Sequence, residues 1–145
     1  MFSQNDNMDI LSIPFHKYLN IEKFPGDKYI FQVQERPEYL NHLQTIHACL
    51  QLALAEASSG EFLLQQFEEL KSEVIPVIRK TEAKYNRPAN GTLYSRASFL
   101  SSNKENILKE LIDKRRTLTH IQVEIFDMNE KKVLSVVFEW FLKKR

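Results

Sequence analysis

Cysteine is nearly absent from this sequence of 145 residues, in which Cys49 is the single example. A single thiol excludes an intramolecular disulfide and a cysteine-rich metal site, and it agrees with a reducing compartment. Residues 1–9 are polar and lack the basic start and the apolar core of a signal peptide. We therefore expect a cytoplasmic protein.

Strong charge of one sign and long apolar runs are also missing. The formal net charge is +1, which gives little of the positive field that binding to a phosphate backbone needs, so nucleic acid is not an expected partner. Gln51 and Glu56 interrupt the longest apolar run, which stays short of the roughly 20 residues of a membrane-spanning helix. We expect no membrane insertion.

Glycine and proline are few, at three and five residues, and they separate elements rather than domains. The sequence shows no internal repeat and no linker of low complexity. Its length suits one hydrophobic core. We therefore predict a single domain over residues 1–145, with residues 1–14 as a short N-terminal extension.

Apolar and polar residues alternate in several segments. Strands are predicted in chain order at residues 18–24, 28–34, 74–86, 91–100, 117–126 and 132–142, and this period of two is the signal at 28–34, 91–100 and 117–126. Pro76 places the start of the third strand at a sheet edge or a bulge, because proline cannot donate to a ladder. The last strand is apolar on both faces, which indicates a central place in the sheet or an oligomer contact.

A period of three to four residues predicts a long helix from Leu43 to Ser59. Shorter helices are predicted at residues 61–70, after Gly60, and at residues 104–114. The long helix is apolar nearly all round and needs cover on almost every side. We therefore predict the α+β class, with a curved antiparallel sheet wrapped around one long central helix.

Glu56 is the most unusual residue of this helix. On a helical wheel it shares a face with small and apolar residues, namely Cys49, Leu52, Ala53 and Gly60. If that face is buried, burial raises the pKa of the Glu56 carboxyl and suits it to general acid or base catalysis. If the face is open, Glu56 is simply solvated. The residues alone leave both interpretations open.

Asn41 and His47 lie near the start of the same helix. Free backbone N–H groups and the positive end of the helix dipole favour an anion or a polarised carbonyl oxygen there, which is the chemistry of an oxyanion site. Each residue also has a structural interpretation. Asn41 can be an N-cap or turn residue, and His47 can be a hydrogen-bonded side chain that steers the loop into the helix.

Other kinds of chemistry find little support. The four histidines show no convincing metal-ligand spacing, and neither a glycine-rich phosphate loop nor a nucleophile elbow occurs. We expect no metal. Cys49 lies in an apolar helix, so we expect an inert, buried thiol rather than a nucleophile.

The segment that carries these residues resembles the hotdog-fold thioesterases of the phenylacetyl-CoA type. Their pattern runs Asn, a short loop, His-Gly-Gly at the helix start, then Leu-Ala, an acidic residue and a run of small residues. This chain reads Asn41, then His47-Ala48-Cys49, then Leu54-Ala55-Glu56-Ala57-Ser58-Ser59-Gly60. The order of elements extends the resemblance over most of the chain, and residues 83–89 look like the third strand of that family.

The resemblance implies a hotdog fold and hydrolysis of an acyl-CoA or acyl-carrier thioester at a site shared between two subunits. Matched by motif, Glu56 is the general base or nucleophile, and Asn41 holds the thioester or the attacking water. His47 marks the helix start, where backbone N–H groups near Ala48 and Cys49 polarise the carbonyl. The implied assembly is a homodimer, with a tetramer as the alternative.

Two further points qualify this implied activity. Arg87 is a possible contact for the phosphates of CoA, which enters only as part of the substrate, so we expect no separate cofactor. The usual glycine pair is replaced by Ala48 and Cys49, whose side chains narrow or redirect the approach of a thioester.

Two other functions use the same fold. A hotdog dimer can bind an acyl group or acyl-CoA without turnover, and the replaced glycines motivate this alternative. A hydroxyacyl-thioester dehydratase would use a histidine before the helix and an acid on it. The His-Phe-Pro and Pro-Gly signatures of that enzyme are missing here, so we rank it below hydrolysis.

Overall fold

A computed structural model describes residues 8–145. The order of the strands and of the two longer helices is the predicted one, but a short helix at Pro14–Tyr18 was not predicted, and the separate helix predicted at residues 61–70 is wrong, because its first six residues continue the long helix. The helices are α1 (Pro14–Tyr18), α2 (Ala48–Gln66) and α3 (Lys104–Lys114), and the strands are β1 (Glu22–Lys23), β2 (Phe31–Val33), β3 (Val74–Tyr85), β4 (Leu93–Phe99), β5 (Arg116–Phe126) and β6 (Lys132–Lys144). Short 3-10 turns occur at Ile10–Ser12, Pro37–Tyr39 and Glu68–Leu70.

The six strands form one antiparallel sheet in the order β1-β2-β4-β5-β6-β3. Helix α2 packs across four of these strands, β2, β4, β5 and β6. The predicted α+β class, with a sheet around one long helix, is confirmed. Strand β6 lies between β5 and β3, which agrees with the central place predicted for it.

The core lies between α2 and the sheet. Strand β5 turns Ile121, Val123 and Ile125 inwards, each with an exposed fraction of 0 %, and its alternate residues are partly exposed. Leu54 of α2, also at 0 %, and Phe138 of β6, at 1 %, are buried in the same cluster. Full burial of such a side chain stabilises the fold by about 1.5–3 kcal/mol, so this layer fixes the position of α2.

The bounds predicted for the long helix are wrong at both ends. The helix begins at Ala48 rather than Leu43, because a turn centred on Asn41 occupies the preceding residues and Gln44 adopts a left-handed conformation with φ of 60°. It also continues through Gly60 to Gln66. Gly60 makes room for a neighbour instead of ending the helix: a Cβ there would lie 3.2 Å from Ile10 Cδ1.

Strand β3 is an edge strand, as Pro76 predicted. It pairs with β6 along one side, and no strand within residues 8–145 pairs with its other side. Its second half, from Arg79 to Tyr85, is exposed. A long, unpaired edge is a template for pairing with another chain.

Only part of the predicted N-terminal extension can be described. Residues 1–7 lie outside the described residues, whereas Ile10 is 5 % exposed and belongs to the core cluster. None of the helices within residues 8–145 is long and apolar enough to cross a membrane.

Helix α3 has the bounds predicted for it, and Asn103 caps its start. The Asn103 Oδ1 accepts a hydrogen bond from the Asn106 N–H at 2.9 Å. We expect Asn103→Ala to lower the free energy of unfolding by about 1 kcal/mol, because one end-of-helix donor loses its acceptor. Urea denaturation measures this change. Asn106→Ala is the control, and an equal loss in both variants would contradict the capping role.

Candidate functional site

The start of α2 presents one free backbone donor. His47 is the N-cap: its Nδ1 accepts a hydrogen bond from the Cys49 N–H at 3.0 Å, and its carbonyl accepts from Leu50 N–H at 3.1 Å. The Ala48 N–H has no acceptor in the described part of the chain. Of the two donors expected near Ala48 and Cys49, the structure therefore leaves that of Ala48 free.

Asn41 holds together the loop that leads into α2. Its Oδ1 accepts from the Leu43 N–H at 2.9 Å and from the Thr45 N–H at 3.2 Å, and its Nδ2 donates to Thr45 Oγ1 at 2.9 Å. These contacts match the turn role that the sequence left open. The amide nitrogen carries a second hydrogen, which is the part of Asn41 available to a ligand.

The loop between β3 and β4 lies against the same loop and carries Arg87. The Ile46 N–H donates to the Ala89 carbonyl at 2.8 Å, and Asn90 Nδ2 donates to the Gln44 carbonyl at 3.2 Å. Arg87 is exposed. These two hydrogen bonds place the Arg87 loop on the side of the molecule where α2 begins.

Tyr85 is a member of this region that sequence reasoning did not identify as functional. Its Oη donates to the Ala48 carbonyl at 3.2 Å, which ties the end of β3 to the start of α2. Partial burial raises the pKa of Tyr85, and the neighbouring Cys49 thiol raises it further when ionised. Its position at the end of a strand that closes on a proline is the only signal in the sequence.

The prediction of a buried Cys49 is wrong. The thiol is exposed, because Cys49 points away from the side of the helix on which its neighbour Leu50 is buried. It has no part in a metal cluster either, since no group of three potential ligands from His, Cys, Asp and Glu occurs within residues 8–145.

Glu56 lies at the mouth of an apolar cleft beside the middle of α2. The side chain is exposed in the single chain, so of the two interpretations that the sequence left open, the single chain shows the solvated carboxylate. The cleft has a volume of about 190 Å³ and is lined by residues of α2, the N-terminal segment, β3 and β6. A carboxylate is therefore placed where an apolar ligand can enter.

Sequence reasoning missed two residues that line this cleft, His16 and Trp140. The Trp140 Nε1 donates to Ser59 Oγ at 3.2 Å, which fixes the indole against α2. The His16 Nδ1 donates to the Ile10 carbonyl at 2.8 Å and thereby joins the N-terminal segment to the site. Both residues are distant from Glu56 in sequence, and nothing near either of them signals a shared cleft.

The free donor and the carboxylate of one chain are far apart. Ala48 and Glu56 are eight residues apart on α2, which corresponds to about 12 Å along the helix axis at about 1.5 Å per residue. A reacting carbonyl needs both groups at about 3 Å. The two groups of one subunit cannot act on the same carbonyl.

The strip between these two groups is uncovered. Leu52 and Ala53 of α2 are partly exposed, and Thr81 and Ala83, which share the helix side of β3 with Tyr85, are exposed. A single chain thus leaves open the surface that joins the start of α2 to Glu56. This surface is suited to contact with another subunit.

A comparison with protein families gives one match. The family model described as "Domain of unknown function (DUF4442)" matches residues 18–142. No curated protein matches the chain.

Several solved structures share the fold. A protein of unknown function from Pseudomonas aeruginosa, described as a "Probable Thioesterase", has a TM-score of 0.78 at 17 % identity, over 94 % of this chain and 91 % of that one. A thioesterase from Haemophilus influenzae has a TM-score of 0.72 at 16 % identity, over 99 % and 92 %. A Bacillus halodurans protein solved with CoA has a TM-score of 0.61 at 15 % identity, over 77 % and 69 %. These similarities confirm the predicted hotdog fold.

Proposed function

Since this chain belongs to the DUF4442 family, a domain of unknown function, we propose its activity from the site itself: it hydrolyses an acyl thioester of CoA or of an acyl carrier. The observation that carries the proposal is the placement of Glu56, an exposed carboxylate at the mouth of an apolar cleft. The hotdog fold and the names of its structural neighbours support it.

The reaction needs a base, a donor and an apolar pocket. Glu56 takes a proton from water, whose oxygen attacks the thioester carbonyl carbon, and the charge that develops on the carbonyl oxygen is stabilised by the Ala48 N–H. Collapse of the intermediate breaks the carbon–sulfur bond. The thiolate takes up the proton, which leaves a carboxylic acid and the free thiol. Direct attack by the Glu56 carboxylate, followed by hydrolysis of the anhydride, is the alternative route.

Two residues hold the reacting parts in place. His47 orients the first turn of α2 through its hydrogen bond with the Cys49 N–H. Asn41 fixes the loop before the helix and offers its second amide hydrogen to the thioester or to the attacking water.

The active form is a homodimer. In an antiparallel pair of α2 helices related by a twofold axis, the Ala48 N–H of one subunit faces Glu56 of the other. The donor and the carboxylate then come from different subunits, so the separation of about 12 Å within one chain does not keep them from acting on the same carbonyl. The unpaired edge of β3 and the open strip between α2 and β3 supply the contact surface. Static light scattering should give twice the chain mass of 17.1 kDa, or four times that mass if dimers pair.

CoA is the carrier best supported by the surroundings of the site. Arg87 is exposed on a loop that packs beside the start of α2, where it can contact a phosphate group. The structural neighbour from Bacillus halodurans was solved with CoA, which agrees with this choice.

A second candidate function is acyl-CoA binding without turnover. The observation that favours it is the hydrogen bond from the Cys49 N–H to His47, which leaves a single backbone donor for the carbonyl oxygen. Under this alternative, acyl-CoA binds and Glu56→Gln leaves the affinity unchanged.

Hydrolysis of an acyl-CoA panel separates the two functions. The purified protein is incubated with acetyl-, hexanoyl-, octanoyl-, dodecanoyl- and phenylacetyl-CoA, and free thiol is measured with a chromogenic disulfide. Thiol release above the uncatalysed rate is the expected result. Tight binding of the same thioesters with no thiol release from any of them would contradict hydrolysis and favour the binding protein.

A further inference from the structure

We propose that the outer face of the sheet, the face turned away from α2, carries a docking surface for a bilayer of anionic phospholipids. The surface is a row of apolar side chains between basic ones, at the end of the sheet where β3 begins and β6 ends. It is separate from the proposed thioester site. The proposal concerns adsorption to the bilayer surface, since none of the helices within residues 8–145 could cross a membrane.

Two basic runs that are far apart in sequence meet at this end of the sheet. They are Lys114-Arg115-Arg116 and Lys143-Lys144-Arg145. Arg116 of β5 pairs with Lys143 of β6, and the Arg115 Nη2 donates to the main-chain oxygen of Arg145 at 2.9 Å. The whole chain has a formal net charge of +1, so its positive charge is concentrated here and the remainder of the chain is net negative.

An apolar row crosses three strands next to these cations. Leu118 of β5 and Val77 of β3 are both register partners of Phe141 in β6. The three side chains lie on the outer face, because the residues that alternate with them in β5 and β6 are buried in the core. Leu118 is 40 % exposed and Val77 50 %, and Phe141 is partly exposed. The row is therefore open to solvent and available to a partner.

The cations around this row are free of ion pairs. Arg79 lies at the bulge of β3, with its guanidinium carbon 6.0 Å from the centre of the Phe141 ring. Arg79, Arg116 and Lys143 are exposed, and none of them pairs with an acidic side chain within residues 8–145. Their charges are therefore available to an anionic partner.

The sign of the charge excludes a second copy of the chain as the occupant. Arg79 and Arg116 border an open depression of about 490 Å³, and Glu110 is the only acid that lines it in the described part of the chain. The Glu110 carboxylate already accepts a hydrogen bond from Thr117 Oγ1 at 2.5 Å. A twofold contact would place this surface against itself, so the basic side chains of the two copies would repel each other.

A bilayer of anionic lipids matches both parts of the surface. Each Lys or Arg close to such a bilayer strengthens binding about fivefold, and long basic side chains reach the headgroups while their stems cover apolar area. The apolar row can enter the boundary between headgroups and acyl chains. A nucleic acid backbone would attract the cations but would leave the apolar row in water.

The dimer proposed above doubles this surface, and this step alone rests on that dimer. Antiparallel strands that meet at a sheet edge are related by a twofold axis perpendicular to the sheet. Pairing of two β3 edges therefore leaves both outer faces on the same side, where they contact one bilayer together and bind it more tightly than either alone. Helix α2 packs on the opposite side of the sheet, so adsorption leaves Glu56 accessible.

Cosedimentation with vesicles tests the proposal on the full chain. The vesicles contain phosphatidylcholine alone, or phosphatidylcholine and phosphatidylglycerol at about two to one. We expect binding to the anionic vesicles only, and release when NaCl is raised from about 0.1 M to about 0.5 M, because salt screens the charges. Arg116→Gln combined with Lys143→Gln should lower the partition coefficient about 30-fold. Val77→Thr should lower it about fourfold, the effect of one methylene-sized group.

The matched control is Lys23→Gln combined with Lys131→Gln. Both lysines are exposed and make no ion pair within residues 8–145. Lys23 lies on β1, at the opposite edge of the sheet, and Lys131 lies in the turn before β6. This variant removes the same charge and should bind anionic vesicles like the wild type. An equal loss in both double variants, or equal binding to neutral vesicles, would overturn the proposal.

Two further measurements separate other partners and the proposed function. Binding to soluble polyglutamate as tight as binding to vesicles, and insensitive to Val77→Thr, would indicate an acidic protein and overturn the bilayer. A lower mass of the Arg116→Gln and Lys143→Gln variant in light scattering would indicate a contact between copies and would also overturn it. Hydrolysis of octanoyl-CoA without vesicles should be equal in this variant and the wild type, so failure of the docking surface and failure of the thioesterase are distinguishable.

Discussion

Glu56→Gln should lower kcat for thioester hydrolysis by about 10²–10⁴-fold, the range that a positioned general base contributes. The amide keeps the size of the side chain but cannot take a proton from water or attack the carbonyl. Because Glu56 is exposed and makes no ion pair within residues 8–145, the substitution should leave the free energy of unfolding within about 0.5 kcal/mol of the wild type. Steady-state kinetics with octanoyl-CoA measures the loss.

The matched control for this prediction is Glu61→Gln, another glutamate of α2, which lies outside the apolar cleft. Its kcat should remain within a few-fold of the wild type. Comparable activity of Glu56→Gln and the wild type, with both correctly folded, would contradict the role assigned to Glu56.

Ala48→Pro should lower kcat by about 10²–10³-fold, the usual effect of removing one oxyanion donor. Proline lacks the backbone N–H, and the Ala48 N–H has no acceptor in the described part of the chain, so no existing hydrogen bond is lost. Ala48 is the first residue of α2, the position that proline favours in helices. His47 already has the extended conformation that proline requires before it, with φ of −57° and ψ of 137°.

The control here is Ala48→Gly, which keeps the N–H and introduces a residue of the glycine pair typical of the thioesterases that the sequence resembles. Its kcat should equal or exceed that of the wild type. Circular dichroism and thermal unfolding establish whether Ala48→Pro retains the helix. A folded Ala48→Pro with full activity would rule out the start of α2 as the oxyanion site.

Local patterns predicted most of the fold. The alternation in β5 and the period of α3 gave these two elements nearly their observed bounds, because each buries one face against the core and the burial sets the period. The predicted bounds of α2 were wrong because the true bounds depend on contacts that local periodicity does not encode. The side chain of Asn41 competes with helix formation, and the fit of Gly60 to Ile10 depends on a residue far away in sequence.

The candidate site was predictable only in part. The helix that carries Glu56 and the loop that carries Asn41 follow from periodicity and from the resemblance to thioesterases. The cleft could not be predicted in this way, because two of its lining residues, His16 and Trp140, come from opposite ends of the chain. The exposure of Cys49 depends on which side of α2 is buried, which no local pattern encodes.

The most direct test of the shared site mixes subunits. Glu56→Gln and Ala48→Pro chains, each inactive alone, are co-expressed with different affinity tags, and the mixed dimer is isolated through both tags. One of its two sites then combines an intact Ala48 N–H with an intact Glu56, so the predicted kcat per dimer is about half that of the wild type. A mixed dimer as inactive as either parent would contradict a thioester site built from both subunits.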